Sequence, residues 1–300
     1  MSLNEIVVIG SANTDMVVKT EKLPQLGETK LGGTFFMNAG GKGANQAVAV
    51  ARIGGNVTFV TKVGNDIFGK QTIEDLKTEC INTSNVFIDE FAPSGVALIM
   101  VNENGENCIV VSPGANAKLL PADIVNVSNI NKAEIILLQL EIPLETIVSI
   151  IKDAKLNAQK VILNPAPAQK LDDELLHGLF LITPNETEAS LLTGITVNDE
   201  ITASRAAHVL ISKGVQNVVI TMGASGAFVL SGEISKMVPA KSVKALDSTA
   251  AGDVFNGAMA VAISEGKSME EAVIFANKAA AISVTRLGAQ TSVPYRKEII

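Results

Sequence analysis

Residues 134–163 read EIILLQLEIPLETIVSIIKDAKLNAQKVIL. The run 134–140 is almost continuously apolar, as suits a strand buried on both faces. Across 144–156 the apolar positions recur every three or four residues, the period of a helix. A second short apolar run follows at 160–163. Strand, helix and strand in that order make a βαβ unit, and such units imply parallel pairing.

The alternation extends outward in both directions. Further strands are expected at 6–9, 57–63, 179–182 and 217–221, and helices at 44–53, 72–78, 186–192, 203–213 and 254–264. Gly54-Gly55 and Gly214 stand where two of these helices should stop. The expected fold is α/β, in three layers, with a mainly parallel central sheet flanked by helices. Two regions break the rhythm. Residues 15–20 and 31–37 read as strands with no helix between them. Residues 95–101 and 107–111 flank Asn104-Gly105, a strong hairpin signal. These strands should form a small antiparallel β lid, inserted at about 15–38 and 94–111 in a single domain spanning 1–300.

Of the 300 residues, 47% are hydrophobic and 18% charged. That is enough apolar material for a large core and excludes wholesale disorder. A net charge of -7, with ten Phe, one Tyr and no Trp, lacks the basic and aromatic footprint of a nucleic-acid binder. Cys80 and Cys108 are too few for a disulfide framework, and His177 and His208 are too few for a zinc cluster. Residues 1–5 lack a basic secretion region, and the later apolar stretches are short or interrupted by charge, as at Lys278. A cytoplasmic protein without a membrane partner is expected.

Several stretches carry candidate chemistry. Residues 64–71 nearly fit a P-loop, but Gln71 stands where a magnesium-binding hydroxyl belongs, so they read as a loop opening a helix. Asn38-Ala39-Gly40-Gly41-Lys42-Gly43-Ala44-Asn45-Gln46 runs into a helix. Its glycines allow close backbone approach, its helix start offers unpaired N–H donors, and Asn45 would face a pocket. A plain turn with a cap would read the same way. In Asp247-Ser248-Thr249-Ala250-Ala251-Gly252-Asp253, the N–H groups of Ala250, Ala251 and Gly252 could meet an anion. Asp253 would repel a phosphate there. Its place makes sense if it takes a proton from a hydroxyl that attacks the phosphorus; helix capping is the plainer alternative. Asn185 and Glu188 of Thr183-Pro184-Asn185-Glu186-Thr187-Glu188 share one helical face. They suit a hydrated magnesium held through phosphates, or a capping box. Thr221-Met222-Gly223-Ala224-Ser225-Gly226 is a turn after a strand, fit either to lie along a nucleotide or to close a hairpin. Asn13, Asp15 and Glu141 leave strand ends at the edge where open α/β sheets bind ligands. A carboxylate there can accept from both hydroxyls of a diol.

Taken in order, these motifs resemble the ribokinase-like family of carbohydrate kinases over nearly the whole chain. Gly10-Ser11-Ala12-Asn13-Thr14-Asp15, Ser112-Pro113-Gly114-Ala115-Asn116-Ala117, Gln139-Leu140-Glu141 and Thr285-Arg286-Leu287-Gly288-Ala289 add to the resemblance. It implies ATP-dependent phosphorylation of a sugar's primary hydroxyl, O5 of D-ribose. It implies a sugar site at Asn13, Thr14, Asp15, Gly41, Lys42, Gly43, Ala44, Asn45 and Glu141. The implied nucleotide site comprises Asn185, Thr221, Met222, Gly223, Ala224, Ser225, Gly226, Gly252 and Asn277. Asp253 becomes the catalytic base, bordering both sites. Magnesium falls to Asn185 and Glu188, mainly through water or phosphate. An activating potassium ion falls to Asp247, Thr249, Ser283, Arg286, Gly288 and Ser292, several through backbone carbonyls. The lid implies a homodimer. A kinase for a nucleoside or another sugar, a phosphosugar kinase and a non-catalytic sensor are the alternatives; a phosphosugar kinase ranks lower, since it needs an extra cation near the substrate's phosphate and Lys42 is the only obvious basic residue within the sugar motifs. A sensor has no need of Asp253 behind an Ala-Ala-Gly run.

Overall fold

A computed structural model describes residues 5–300; the expectation about the first four residues lies outside the described residues. The chain opens with β1 (Glu5–Ile9), β2 (Asn13–Lys19), β3 (Thr34–Gly40) and α1 (Lys42–Arg52). Next come β4 (Asn56–Gly64), α2 (Ile67–Thr78), β5 (Asn82–Asp89), β6 (Gly95–Val101), β7 (Asn107–Ser112) and the short α3 (Pro121–Ile124). The βαβ unit follows as β8 (Ile135–Leu138), α4 (Leu144–Leu156) and β9 (Lys160–Leu163). Then come α5 (Asp173–Leu176), β10 (Leu181–Ile182), α6 (Glu186–Thr193), α7 (Glu200–Ser212), β11 (Val218–Thr221), β12 (Ala227–Ser231) and β13 (Ile234–Val238). The chain ends with α8 (Ala251–Ser264), α9 (Met269–Ser283) and α10 (Arg296–Ile299).

Nine strands form one sheet in the order β13-β12-β11-β10-β9-β8-β1-β4-β5. Pairing is parallel from β11 through to β5, and antiparallel only for β12 and β13. The two faces follow from the strand period of two. Ile6 and Val8 of β1 pack with α1, α8 and α9, while Val7 and Ile9 pack on the opposite side with α4 and α7. That arrangement gives the three layers the alternation predicts. Among the described residues, no helix is long and apolar enough to cross a membrane.

The second sheet has the order β3-β2-β6-β7. Its two hairpins are antiparallel, as expected, but they join through a parallel pairing of β2 with β6. The sequence reading does not include that contact, because β2 and β6 lie far apart in the chain. Register divides the side chains of this sheet. Met16, Met37, Leu98 and Val110 form one cross-strand row, and Val18, Phe35 and Met100 lie in the row two residues along, on the same face. Asn13 and Asp15 point to the other face.

Residues 64–71 form the end of β4 and the start of α2. Asp66 caps that helix by accepting from the Gly69 N–H at 2.8 Å. The P-loop-like stretch is therefore a helix opening.

Candidate active site

The site lies where β1, β8, β9, β10 and β11 end. The chain runs from β1 toward β5 on one side of the sheet and from β8 toward β11 on the other. Strand order therefore reverses between β1 and β8, which opens a crevice at their C-terminal edge.

Two glycines bring α1 against β1. Gly41 has φ of 89°, and a Cβ there would lie 2.7 Å from the Asn13 nitrogen. A Cβ on Gly43 would lie 2.6 Å from the Gly10 carbonyl carbon. Only backbone without side chains can pass this closely. The first-turn donors of α1 are engaged rather than free, contrary to the sequence reading. Lys42 N–H donates to Glu141 Oε2 at 3.1 Å, Gly43 N–H to Ser11 Oγ at 3.5 Å, and Ala44 N–H to the Ser11 carbonyl at 2.9 Å. Glu141 also accepts from the Ser11 hydroxyl, so it joins the ends of β8 and β1 to α1.

Asp253 enters from the first turn of α8 and is only 6% exposed. Its Oδ2 accepts from Asn45 Nδ2 at 3.0 Å, and its Oδ1 accepts from Gln46 Nε2 at 2.9 Å. Burial pushes its carboxyl above the usual aspartate range, against Lys42 and the two amides, which favour the charged form. Asp15 is raised to about 6, first by burial and then by the charges of Glu141 and Asp253. Lys42 is held above its ordinary value: burial lowers it, but Asp253, Glu141, Glu188 and Asp15 together outweigh that. One ammonium among four carboxylates is thus locked in its charged state.

The α8 N-terminus has no side-chain cap, and Ala250 at its start adopts a left-handed φ of 59°. Of the three expected donors, Ala251 N–H is engaged with the Ser248 carbonyl at 3.2 Å. A Cβ built on Gly252 meets nothing within 4 Å, so the backbone beside Asp253 borders open space.

Asn185 and Glu188 form a reciprocal capping box at α6. Glu188 N–H donates to Asn185 Oδ1 at 2.8 Å, and Asn185 N–H donates to Glu188 Oε2 at 2.9 Å. Burial raises the Glu188 carboxyl despite this bond and despite Lys42. Residues Thr221 to Gly226 connect β11 to β12: Met222 N–H bonds the Gly226 carbonyl at 2.8 Å, and Gly223, Ala224 and Ser225 form one helical turn. Asn277 of α9 is buried and donates to the Val238 carbonyl at 3.0 Å. The strand pleat separates Thr14 from its neighbours, turning its side chain away from the face that carries Asn13 and Asp15.

Asp247 stitches two loops together. It accepts from Thr249 N–H at 2.9 Å and from Gly288 N–H at 2.8 Å. Burial alone would raise this carboxyl, yet those donors hold it below its usual range. Ser283 and Ser292 hydroxyls donate to the Ala280 and Ala289 carbonyls, and Arg286 pairs with Glu298.

The pfkB family carbohydrate kinase model matches residues 3–296. The chain belongs to this family of carbohydrate kinases. It is 44% identical over 296 residues to the ribokinase of Haemophilus influenzae, covering 98% of this chain and 97% of that one. It is 41% identical over 292 residues to the deoxyribokinase of Salmonella typhimurium, covering 97% and 95%. The structure of Arabidopsis thaliana ribokinase complexed with ribose and ATP superposes with a TM-score of 0.92 at 35% identity, covering 100% of this chain and 98% of that one.

Within this kinase fold, sequence reasoning assigned no role to Ser11, Gln46, Asn116, Gln139 or Asn164. Asn116 clamps the start of β2, donating to Asn13 Oδ1 at 2.8 Å and to the Ala12 carbonyl at 3.1 Å. Gln139, the one amide within the apolar run 134–140, and Asn164 each stand just past the end of a buried strand. A polar residue at that place is the signal that marks them.

Proposed function

We propose that this carbohydrate kinase transfers the terminal phosphoryl group of ATP to the O5 hydroxyl of D-ribose, giving ribose 5-phosphate and ADP. The observation that carries the reading is Asp253: a buried carboxylate, gripped by two amides, at an uncapped helix start beside the open Gly252 backbone. The relatives named ribokinase and the ribose–ATP complex of the Arabidopsis protein support the choice of substrates.

The sugar lies against Asn13, Asp15 and the α1 start. Asn45 Oδ1, buried and without a partner in the protein, accepts from one of its hydroxyls. The ATP phosphates lie at the start of α8, beside Gly252. The nucleotide runs along Asn185, the Thr221–Gly226 turn and Asn277. Asp253 orients O5 and takes its proton as the oxygen forms its bond to the terminal phosphorus. The bond from that phosphorus to the bridging oxygen breaks, and ADP leaves with the electron pair. A carboxylate raised by burial is a better base than free aspartate, yet it must be ionised to act. Four carboxylates and one ammonium leave the pocket negative, so positioning and phosphate-binding donors carry much of the acceleration.

Magnesium, when bound, neutralises charge on the phosphates. The capping box leaves Asn185 and Glu188 to hold it through water and phosphate, which fits an ion that keeps much of its hydration. Potassium, if it binds at these positions, would be held mainly by backbone carbonyls, because the Asp247 carboxylate and the two serine hydroxyls are already engaged with backbone groups. The small sheet acts as a lid that excludes water, which would otherwise accept the phosphoryl group.

An ADP-release assay across D-ribose, 2-deoxyribose and nucleosides, with and without potassium, tests the reading. D-Ribose should give the highest kcat/KM. Preference for 2-deoxyribose or a nucleoside would move the chain to that substrate. Asp253→Ala should lower kcat by ~10²–10⁴ while ATP still binds. Near-normal turnover in that variant would refute the base.

A further inference from the structure

Beneath Asp253 lies a chain of buried amides. Gln46 and Gln139 are fully buried, and Asn164 is 6% exposed. Gln46 Nε2 donates to Asp253 Oδ1 at 2.9 Å and to Asn164 Oδ1 at 3.0 Å. Gln46 Oε1 accepts from Gln139 Nε2 at 2.6 Å. These side chains come from α1, the end of β8 and the end of β9.

The polarity of the chain has one consistent direction. An ionised carboxylate only accepts, so Gln46 must present its NH₂ group to Asp253. Its carbonyl oxygen then faces Gln139, which donates. Reversing the Gln46 amide would set oxygen against oxygen at Asp253 and nitrogen against nitrogen at Gln139. A proton placed on either bonded lone pair of Asp253 would meet a donor.

We infer that Gln46 is a positioning residue for the phosphoryl transfer: its carboxamide fixes the rotamer and favours the ionised form of Asp253, and Gln139 fixes the carboxamide. The inference rests on Asp253 as the base. It assigns work to the residue beside Asn45 in the glycine-rich segment, on the side away from solvent. The charged groups that also act on Asp253 are Lys42 on α1, Glu141 after β8, Asp15 on β2 and Glu188 on α6. All of them remain when Gln46 is changed.

The test is Gln46→Met, which keeps the length and removes the donors. ADP release is followed against pH at saturating D-ribose and ATP. The acid limb of kcat should move about one pH unit higher, a roughly tenfold loss on the low-pH side, with KM for ATP within about twofold. Gln139→Met should move the limb the same way by less. The double variant should move it no further than Gln46→Met, because Gln139 acts only through Gln46. An acid limb left at the wild-type position in folded Gln46→Met overturns the inference. If Gln46→Met does not fold, an unmoved limb in Gln139→Met overturns it instead. Asp253→Asn separates the two claims. Substantial turnover there removes the base itself, whereas an inactive Asp253→Asn with unmoved glutamine variants removes only the role of Gln46.

Discussion

Asp15 carries a proton more tightly than a free aspartate, with its pKa raised from 3.8 to about 6. Burial and two neighbouring carboxylates oppose its charge. The ionised form is the one that can accept from both hydroxyls of a sugar diol. As pH falls through about 6, Asp15 gains a proton and loses acceptor capacity, so KM for the sugar should rise while KM for ATP stays level. Initial rates on either side of that pH, with each substrate varied in turn, check the split; a flat sugar KM would remove Asp15 from sugar binding. Asn13, Asp15 and Glu141 were readable as candidates because polar residues at strand ends are conspicuous after apolar runs. Gln46 was not, since an amide inside a helix carries no spacing signal and its partners arrive from β8, β9 and α8.

Helix α8 meets α1 with almost no gap. A Cβ on Gly257 would lie 2.5 Å from the Ala49 Cβ and 3.0 Å from the Gln46 carbonyl oxygen. Gly257→Ala should therefore push the helices apart and cost about 1–3 kcal/mol of stability. It should also lower kcat, because Asp253 sits on one helix and its two amide partners on the other. Urea unfolding and turnover measured on one preparation check both effects. Loss of stability with kcat intact would show that the helix contact does not set the carboxylate. At this scale the βαβ unit was the most legible part: α4 spans the predicted 144–156, since its apolar period is unbroken. Other elements were obscured by competing signals. β10 is two residues long, although 179–182 reads as strand. β5 was missed because it is an edge strand of mixed exposure and polar composition, NTSNVFID. The Thr221–Gly226 turn closes a β11–β12 hairpin, one of the two readings left open for it, whereas the β12–β13 hairpin that follows was not read at all.

Over the whole molecule, the outer face of the small sheet is unusually apolar. Phe35, Met37, Leu98, Met100 and Val110 are between 40% and 67% exposed and lie in two adjacent rows of one face. Apolar rows of this kind mark an interaction surface, and the family resemblance implies a second copy as the occupant. If that face joins two copies, the unaltered chain should sediment as a dimer at equilibrium, and Leu98→Lys, which places a charge in the middle of the face, should sediment as a monomer. A variant that still sediments as a dimer would move the contact elsewhere. The same four strands carry Asn13 and Asp15 on their reverse side, a single backbone away. A contact made on the outer face would therefore act on the strand that carries the two proposed sugar-binding side chains. If two copies pair there, dilution that parts them should loosen pentose affinity and leave ATP affinity almost untouched.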